Sequence, residues 1–203
     1  MSCIKNLEEI SRQNESETRD HFLFPLIESP QDLNCFLESY AIEIYYLEKM
    51  NSNKDNSSPE ITALFDYLDI KFNDIKNIEL SQAQLDFFDF YYSKISSSQK
   101  HHKLVFSVFS QRKVIANLSL NTIKYLQQKF PKHNFEILKM FFEKEIKNEH
   151  LTQNLKNELK EMIVYQDTNC EKLIENLKTF YQLREKVWNQ ILKTIQLQKG
   201  IAK

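Results

Sequence analysis

The chain has almost no glycine. Gly200 is the sole glycine among 203 residues, with four prolines beside it, far below ordinary usage. Tight β turns, glycine-rich phosphate loops and α/β crossovers all draw on glycine's conformational freedom. The Rossmann and P-loop fingerprints are therefore excluded, because backbone approach to phosphate requires their glycines. Helices use glycine mainly at their C-terminal ends, so an all-α fold is expected. Cysteine is scarce too. Cys3, Cys35 and Cys170 show neither the spacing of a zinc set nor that of a disulfide framework, and a reducing cytoplasm is the expected compartment. Charge of one sign is lacking as well: 27 basic and 28 acidic residues leave a net charge of −1. Without a basic excess, nucleic acid is not an expected partner. No apolar run reaches about 18 residues, so no membrane span is expected. The N-terminal "MSCIKNLEEISRQNESETRD" is polar and acidic and has no apolar core of a secretory signal. The partners that remain are a small-molecule ligand, another protein or a second copy of the chain.

What the chain does contain is helix signals. In "SPQDL", Ser29 is placed as an N-cap, with Pro30 at the first helical position and Asp32 in the first turn. Leu33, Phe36, Leu37, Tyr40, Ile44 and Leu47 follow as one apolar stripe. "NSNKDNSS", Asn51 to Ser58, is a loop, and Ser58 caps the next helix with Pro59 inside it. The stripe of that helix is Ile61, Leu64, Phe65, Leu68, Phe72 and Ile75. "SQAQ", Ser81 to Gln84, is a capping box, and the aromatic "FFDFYY" after it lacks interleaved basic residues, so it is read as core. "ISSSQKHHK" is a break that leaves His101 and His102 exposed. A long helix is expected from Lys103 to Phe130, another after Asn134, and a last one from Asn169 to Leu197 carrying Trp188. The sum is about seven helices in one domain over residues 1–203, with stripes wider than a coiled-coil seam.

The chemistry-bearing stretch is "KMFFEKEIKNEHLTQNL", Lys139 to Leu155. On a wheel of about 100° per residue, Phe135, Leu138, Phe142 and Ile146 mark an apolar arc. Glu145 and Glu149 fall inside it, one turn apart; Glu143, Lys147 and His150 lie toward its polar edge. Carboxylates on a buried face must be paired, protonated or metal-bound. Two arrangements satisfy that requirement: a carboxylate metal site in a helical core, or pairing with Lys or Arg from a neighbouring helix. The candidate metal ligands are thus Glu145, Glu149 and His150. His21, at the head of the apolar "HFLFPLI", is the candidate cofactor-binding residue, and His133 is read as a loop residue. No nucleophile–base–orienter set stands out.

Four segments in order, "HFLFPLIESPQDLNCFLESYAIEIYYLEKM", "VFSQRKVIANLSLNTIKYLQQKF", "FFEKEIKNEHLTQNLKNELKEMI" and "FYQLREKVWNQIL", resemble the heme-oxygenase-like superfamily. That group includes heme oxygenases, thiaminase-II-like proteins and iron-containing redox enzymes, and the likeness is greatest to the last. The resemblance implies a bundle of seven helices around a central pocket. The iron enzymes carry H-x3-D-x2-H on one helix, shortly after an aromatic pair. Anchored at Phe141–Phe142, the matching positions here are Glu145, Glu149 and Thr152. A carboxylate ligand of the preceding helix corresponds to Phe109. Asp66 and Asp69 are the only carboxylates near the remaining ligand positions, and no histidine accompanies them. A second register ends on His150 with Glu143 before it. The heme oxygenases imply a glycine-rich kink over heme; the corresponding "RKVIANLSL" has no glycine, and His21 stands where a proximal ligand would be sought. The resemblance therefore implies weak or absent iron and no heme. Two functions follow: a metal-dependent oxidoreductase acting on a small organic molecule in the central pocket, or a pseudoenzyme that binds a ligand or protein without redox chemistry.

Overall fold

The computed structural model describes residues 3–51, 58–71, 78–95, 100–147, 149–165 and 169–200. Among these the regular structure is helical throughout. The chain runs through α1 (Cys3–Arg19), α2 (Leu23–Leu26), α3 (Pro30–Asn51), α4 (Pro59–Tyr67), α5 (Gln82–Ile95), α6 (Lys100–Phe109), α7 (Arg112–Lys129), α8 (Glu136–Lys147), α9 (Glu149–Tyr165) and α10 (Cys170–Gln198). Seven of these have twelve or more residues: α1, α3, α5, α7, α8, α9 and α10. The three others are short.

Several helices start where the sequence places them. Ser29 Oγ accepts from Asp32 N at 3.1 Å, and Asp32 Oδ2 accepts from Glu28 N and Ser29 N, both at 3.0 Å. Ser58 accepts from Ile61 N, and Ser81 and Gln84 form the reciprocal capping box. Asn134 Oδ1 accepts from Glu136 N at 3.0 Å, and Asn169 caps α10 through Lys172 N at 3.0 Å. Each cap satisfies a backbone N–H that the first turn leaves without a partner. The expected stripe positions Phe72 and Ile75, and most of the Asn51–Ser58 loop, lie outside the described residues.

The last helix, α10, is the axis of the fold. It packs on α1, α2, α3, α5 and α6. Phe180, fully buried, stacks its ring within 5.3 Å of Phe87, 5.0 Å of Phe106 and 6.0 Å of Tyr91. The aromatic "FFDFYY" is thus core at Phe87, Phe88 and Tyr91, with Tyr92 at the surface. Residues 100–165 return on themselves: α7 packs against α8, and α6 packs against α9.

One expected element is corrected. The helix foreseen from Lys103 to Phe130 is divided at Ser110–Gln111 into α6 and α7. Gln111 takes a left-handed backbone, φ 59° and ψ 22°. Neither glycine nor proline marks the place. The break is held by side chains distant in sequence: Tyr181 Oη donates to Phe109 O at 2.7 Å, and Arg184 Nη1 donates to Ser110 O at 2.5 Å. Gln111 Oε1 accepts from Thr18 Oγ1 at 2.8 Å, and its Nε2 donates to Ser11 O at 3.1 Å. Two carbonyls freed at the end of α6 therefore find donors on α10, and Gln111 ties the turn to α1.

Candidate functional site

The polar centre of the bundle is built from two arginine–glutamate pairs. From α3, Glu43 accepts from Arg184 Nη2 of α10 at 2.9 Å, with both side chains buried. From α7, Arg112 grips Glu145 of α8 at two points: Nη2 to Oε1 at 2.9 Å and Nε to Oε2 at 2.5 Å. Tyr40, one turn before Glu43 on α3, lies within electrostatic reach of both pairs. Burial pushes its phenol pKa up, Glu145 and Glu43 add to that rise, and Arg112 and Arg184 oppose it. Its hydroxyl has no hydrogen-bond partner among the described residues. Arg184 also lies over the Phe180 ring, 4.5 Å from its centroid, where the ring face attracts the cation. The Glu43–Arg184 pair is buried on both sides, whereas the Arg112 side chain is 38% exposed and covers an inward-facing Glu145. Such pairs add little net stability, since desolvation offsets their attraction, but they fix which helices meet.

Glu145 points inward, its side chain only 9% exposed. Of the two arrangements left open by the sequence, it adopts pairing with an arginine of the neighbouring helix. Glu149 and His150 begin α9, and their side chains lie outside the described residues. Glu143 and Thr152 face solvent, as do Asp66 and Asp69. Phe109 is buried and offers only its carbonyl, already taken by Tyr181. These donors do not fit a two-iron site. Such a site needs several carboxylates and imidazoles converging on the ions. Here one register position is ion-paired, one is apolar and one faces outward. Among the described residues no three His, Cys, Asp or Glu side chains gather at one point.

His21 sits in a small cleft between α1 and α10. Its Nδ1 accepts from Leu23 N at 3.1 Å, and its ring meets Trp188 edge-on at 5.4 Å. Burial holds its pKa below the ordinary histidine value, against the opposing pull of Asn189 and Glu185. The cleft, with Thr18, Tyr181 and Arg184 in its wall, has about 30 Å³ of free volume. That is room for about one or two waters, while small-molecule sites usually need about 300 Å³ or more. Heme does not fit it.

Two further expectations are corrected. His102 is buried, at 3% exposure, because α6 begins before it and turns its ring inward; His101 is half-buried. Among the described residues both ring nitrogens of His102 are without hydrogen-bond partners, and His133 is a loop residue as expected, in contact with Tyr67 Oη at 3.1 Å. The cysteine reading also fails: Cys3 and Cys170 form a disulfide, with Cα atoms 5.6 Å apart. A separation of 167 residues hides such a pair from any spacing rule. This removes the cysteine argument for a reducing compartment. Among the described residues no helix is long and apolar enough to cross a membrane.

The residues that organise the centre, Glu43, Arg112, Arg184 and Gln111, were not singled out from the sequence. A signal existed for two of them. Glu43 stands between Tyr40 and Ile44 of the stripe begun by Leu33, and Arg184 stands four residues after Phe180 and four before Trp188. A charge inside an apolar stripe on each of two helices of opposite sign is the pattern of a buried pair.

Taken together, fold and centre define an all-α helical bundle with a neutralised ionic interior. No family model matches the chain, and no curated protein gives a significant match.

Proposed function

We propose that the chain is a heme-oxygenase-like bundle without redox chemistry, working as a binding module. The Arg112–Glu145 pair carries this reading. In the register of the iron-containing relatives, Glu145 occupies a ligand position. Here a guanidinium holds both of its oxygens and supplies the positive charge that a metal would bring. It offers no open coordination position and no change of oxidation state. The Glu43–Arg184 pair treats the neighbouring interior charge in the same way. The His21 cleft is too small for an organic substrate. The outer surface offers apolar side chains for recognition: the packed helices α7 and α8 expose Tyr125, Ile137 and Met140.

The test is metal content. Protein purified from iron-replete cells, and protein reconstituted with ferrous iron under nitrogen, should retain less than one iron per chain. Neither preparation should consume oxygen when given a reductant. Two retained irons per chain, lost on Glu145→Ala, would sink the proposal and restore the oxidoreductase reading.

A further inference from the structure

We propose that the Cys3–Cys170 disulfide is a reversible clasp that holds α1 as a lid over the Tyr181–Arg184 segment of α10, and that a dithiol reductant opens it. The lid is lightly held otherwise. Among the 17 residues of α1 only Leu7 and Thr18 are buried. Beyond these, Ile4 and Ile10 are only partly buried against the core, and α1 is tied by the Glu8–Lys156 ion pair, by a Ser11 contact with Tyr181, and by the Ser11 and Thr18 bonds to Gln111. What lies beneath is not inert surface. Asn14, Glu17 and Thr18 of α1 face Tyr181, Arg184, Glu185 and Trp188 of α10 across the small cleft. Arg184 Nε, buried there, has no hydrogen-bond partner among the described residues. With α1 lifted, Arg184 and Trp188 would meet solvent, and a donor now unused would become available to an incoming acceptor.

The clasp is placed for exchange. Both cysteines are half-buried residues, neither sealed in the core. Cys3 and Cys170 are the first residues of α1 and α10, and Cys170 directly follows the Asn169 cap. A thiolate at either position is stabilised by the free N–H groups and dipole of a first turn, so each is a good leaving group. A reductant thiolate attacks one of the two sulfurs, the S–S bond breaks, and the electron pair leaves on the other. The reductant's second thiolate then displaces the remaining cysteine from the mixed disulfide. Two electrons and two protons pass to the protein, giving two cysteine thiols, and the reductant becomes a disulfide. Cys35 takes no part: its thiol donates to Gln198 Oε1 at 3.5 Å, and burial raises its pKa.

The experiment uses the full chain, treated with glutathione disulfide and then with dithiothreitol without denaturant. Alkylation in denaturant counts the free thiols, and hydrogen exchange reads each helix. After oxidation only Cys35 should be alkylated; after reduction all three cysteines should be. Exchange across Cys3–Arg19 should then quicken by about tenfold or more while α5 and α7 keep their protection, as local opening requires. Trp188 emission should shift to the red. Cys170→Ser should match the reduced protein with or without reductant, and Cys35→Ser should behave as the parent. Three free thiols after oxidation would overturn the proposal. So would a disulfide that resists dithiothreitol in the folded protein, an α1 whose exchange ignores reduction, or a loss of protection spread evenly over all helices.

Discussion

Arg184 makes three kinds of contact at once: an ion pair with Glu43, a hydrogen bond to the carbonyl of Ser110, and a cation–π contact with Phe180. Removing it strands a buried carboxylate and a buried carbonyl together. Arg184→Met should therefore cost about 3–5 kcal/mol in urea unfolding, the range for breaking a buried pair from one side. Arg184→Met combined with Glu43→Leu should recover part of that loss, because no charge is left unpaired. A double variant less stable than Arg184→Met alone would show that the pair is worth more than its desolvation. His102 gives a residue-scale effect of pH. Burial chiefly, with the charges of His101, Lys94 and Lys172 behind it, pushes its pKa down to about 4. In the unfolded chain it titrates near the ordinary value of about 6.5. Between those limits the unfolded state binds the extra proton, so stability rises with pH across the window. The contribution is complete above about pH 6.5 and lost as pH falls toward about 4. His102→Leu should flatten the stability profile over that interval, and a profile unchanged by the substitution would show that another group sets it.

At the scale of elements, the Ser110–Gln111 turn decides how α6 and α7 divide. Gln111 holds a left-handed backbone that costs a residue with a Cβ about 1–2 kcal/mol, offset by its bonds to Thr18 and Ser11. Gln111→Gly loses the bonds and also the strain. Gln111→Ala loses the bonds and keeps the strain. Alanine should therefore be the more destabilising by about 1 kcal/mol, the reverse of the helix-propensity order. Urea midpoints for the two variants decide it, and alanine proving the milder would mean that residue 111 becomes helical in the variant. The same turn shows how far the sequence carried. Caps at Ser29, Ser58 and Ser81 were legible because an N-cap is a local bargain between a side chain and the next turn. The division at Gln111 was not, because its partners are Thr18, Tyr181 and Arg184, which periodicity within 103–130 cannot report. The site followed the same rule. The apolar arc placed Glu145 inward, but its partner Arg112 belongs to another helix, and only the packing of α7 on α8 reveals it. Cys3 and Cys170 are the extreme case, joined across 167 residues.

For the whole molecule, α10 sets the degree of cooperativity. It packs on α1, α2, α3, α5 and α6, all from residues 3–109, and the only tryptophan, Trp188, is buried on it. The rings that Phe180 meets come from α5 and α6, while Trp188 meets His21 and Phe24 beside α1 and α2. A loss at Phe180 should thus be felt at Trp188, two turns along the same helix, if residues 1–203 unfold as one unit. Phe180→Ala removes a fully buried ring and should cost about 3–5 kcal/mol. Domains of this size commonly hold about 5–15 kcal/mol, so the variant should still fold. The informative readout is agreement between probes. Urea titrations of Phe180→Ala followed by Trp188 emission and by helical circular dichroism should share one midpoint, displaced equally from the parent. A Trp188 midpoint that stays at the parent value while the dichroism midpoint falls would divide the chain into units that α10 spans without coupling.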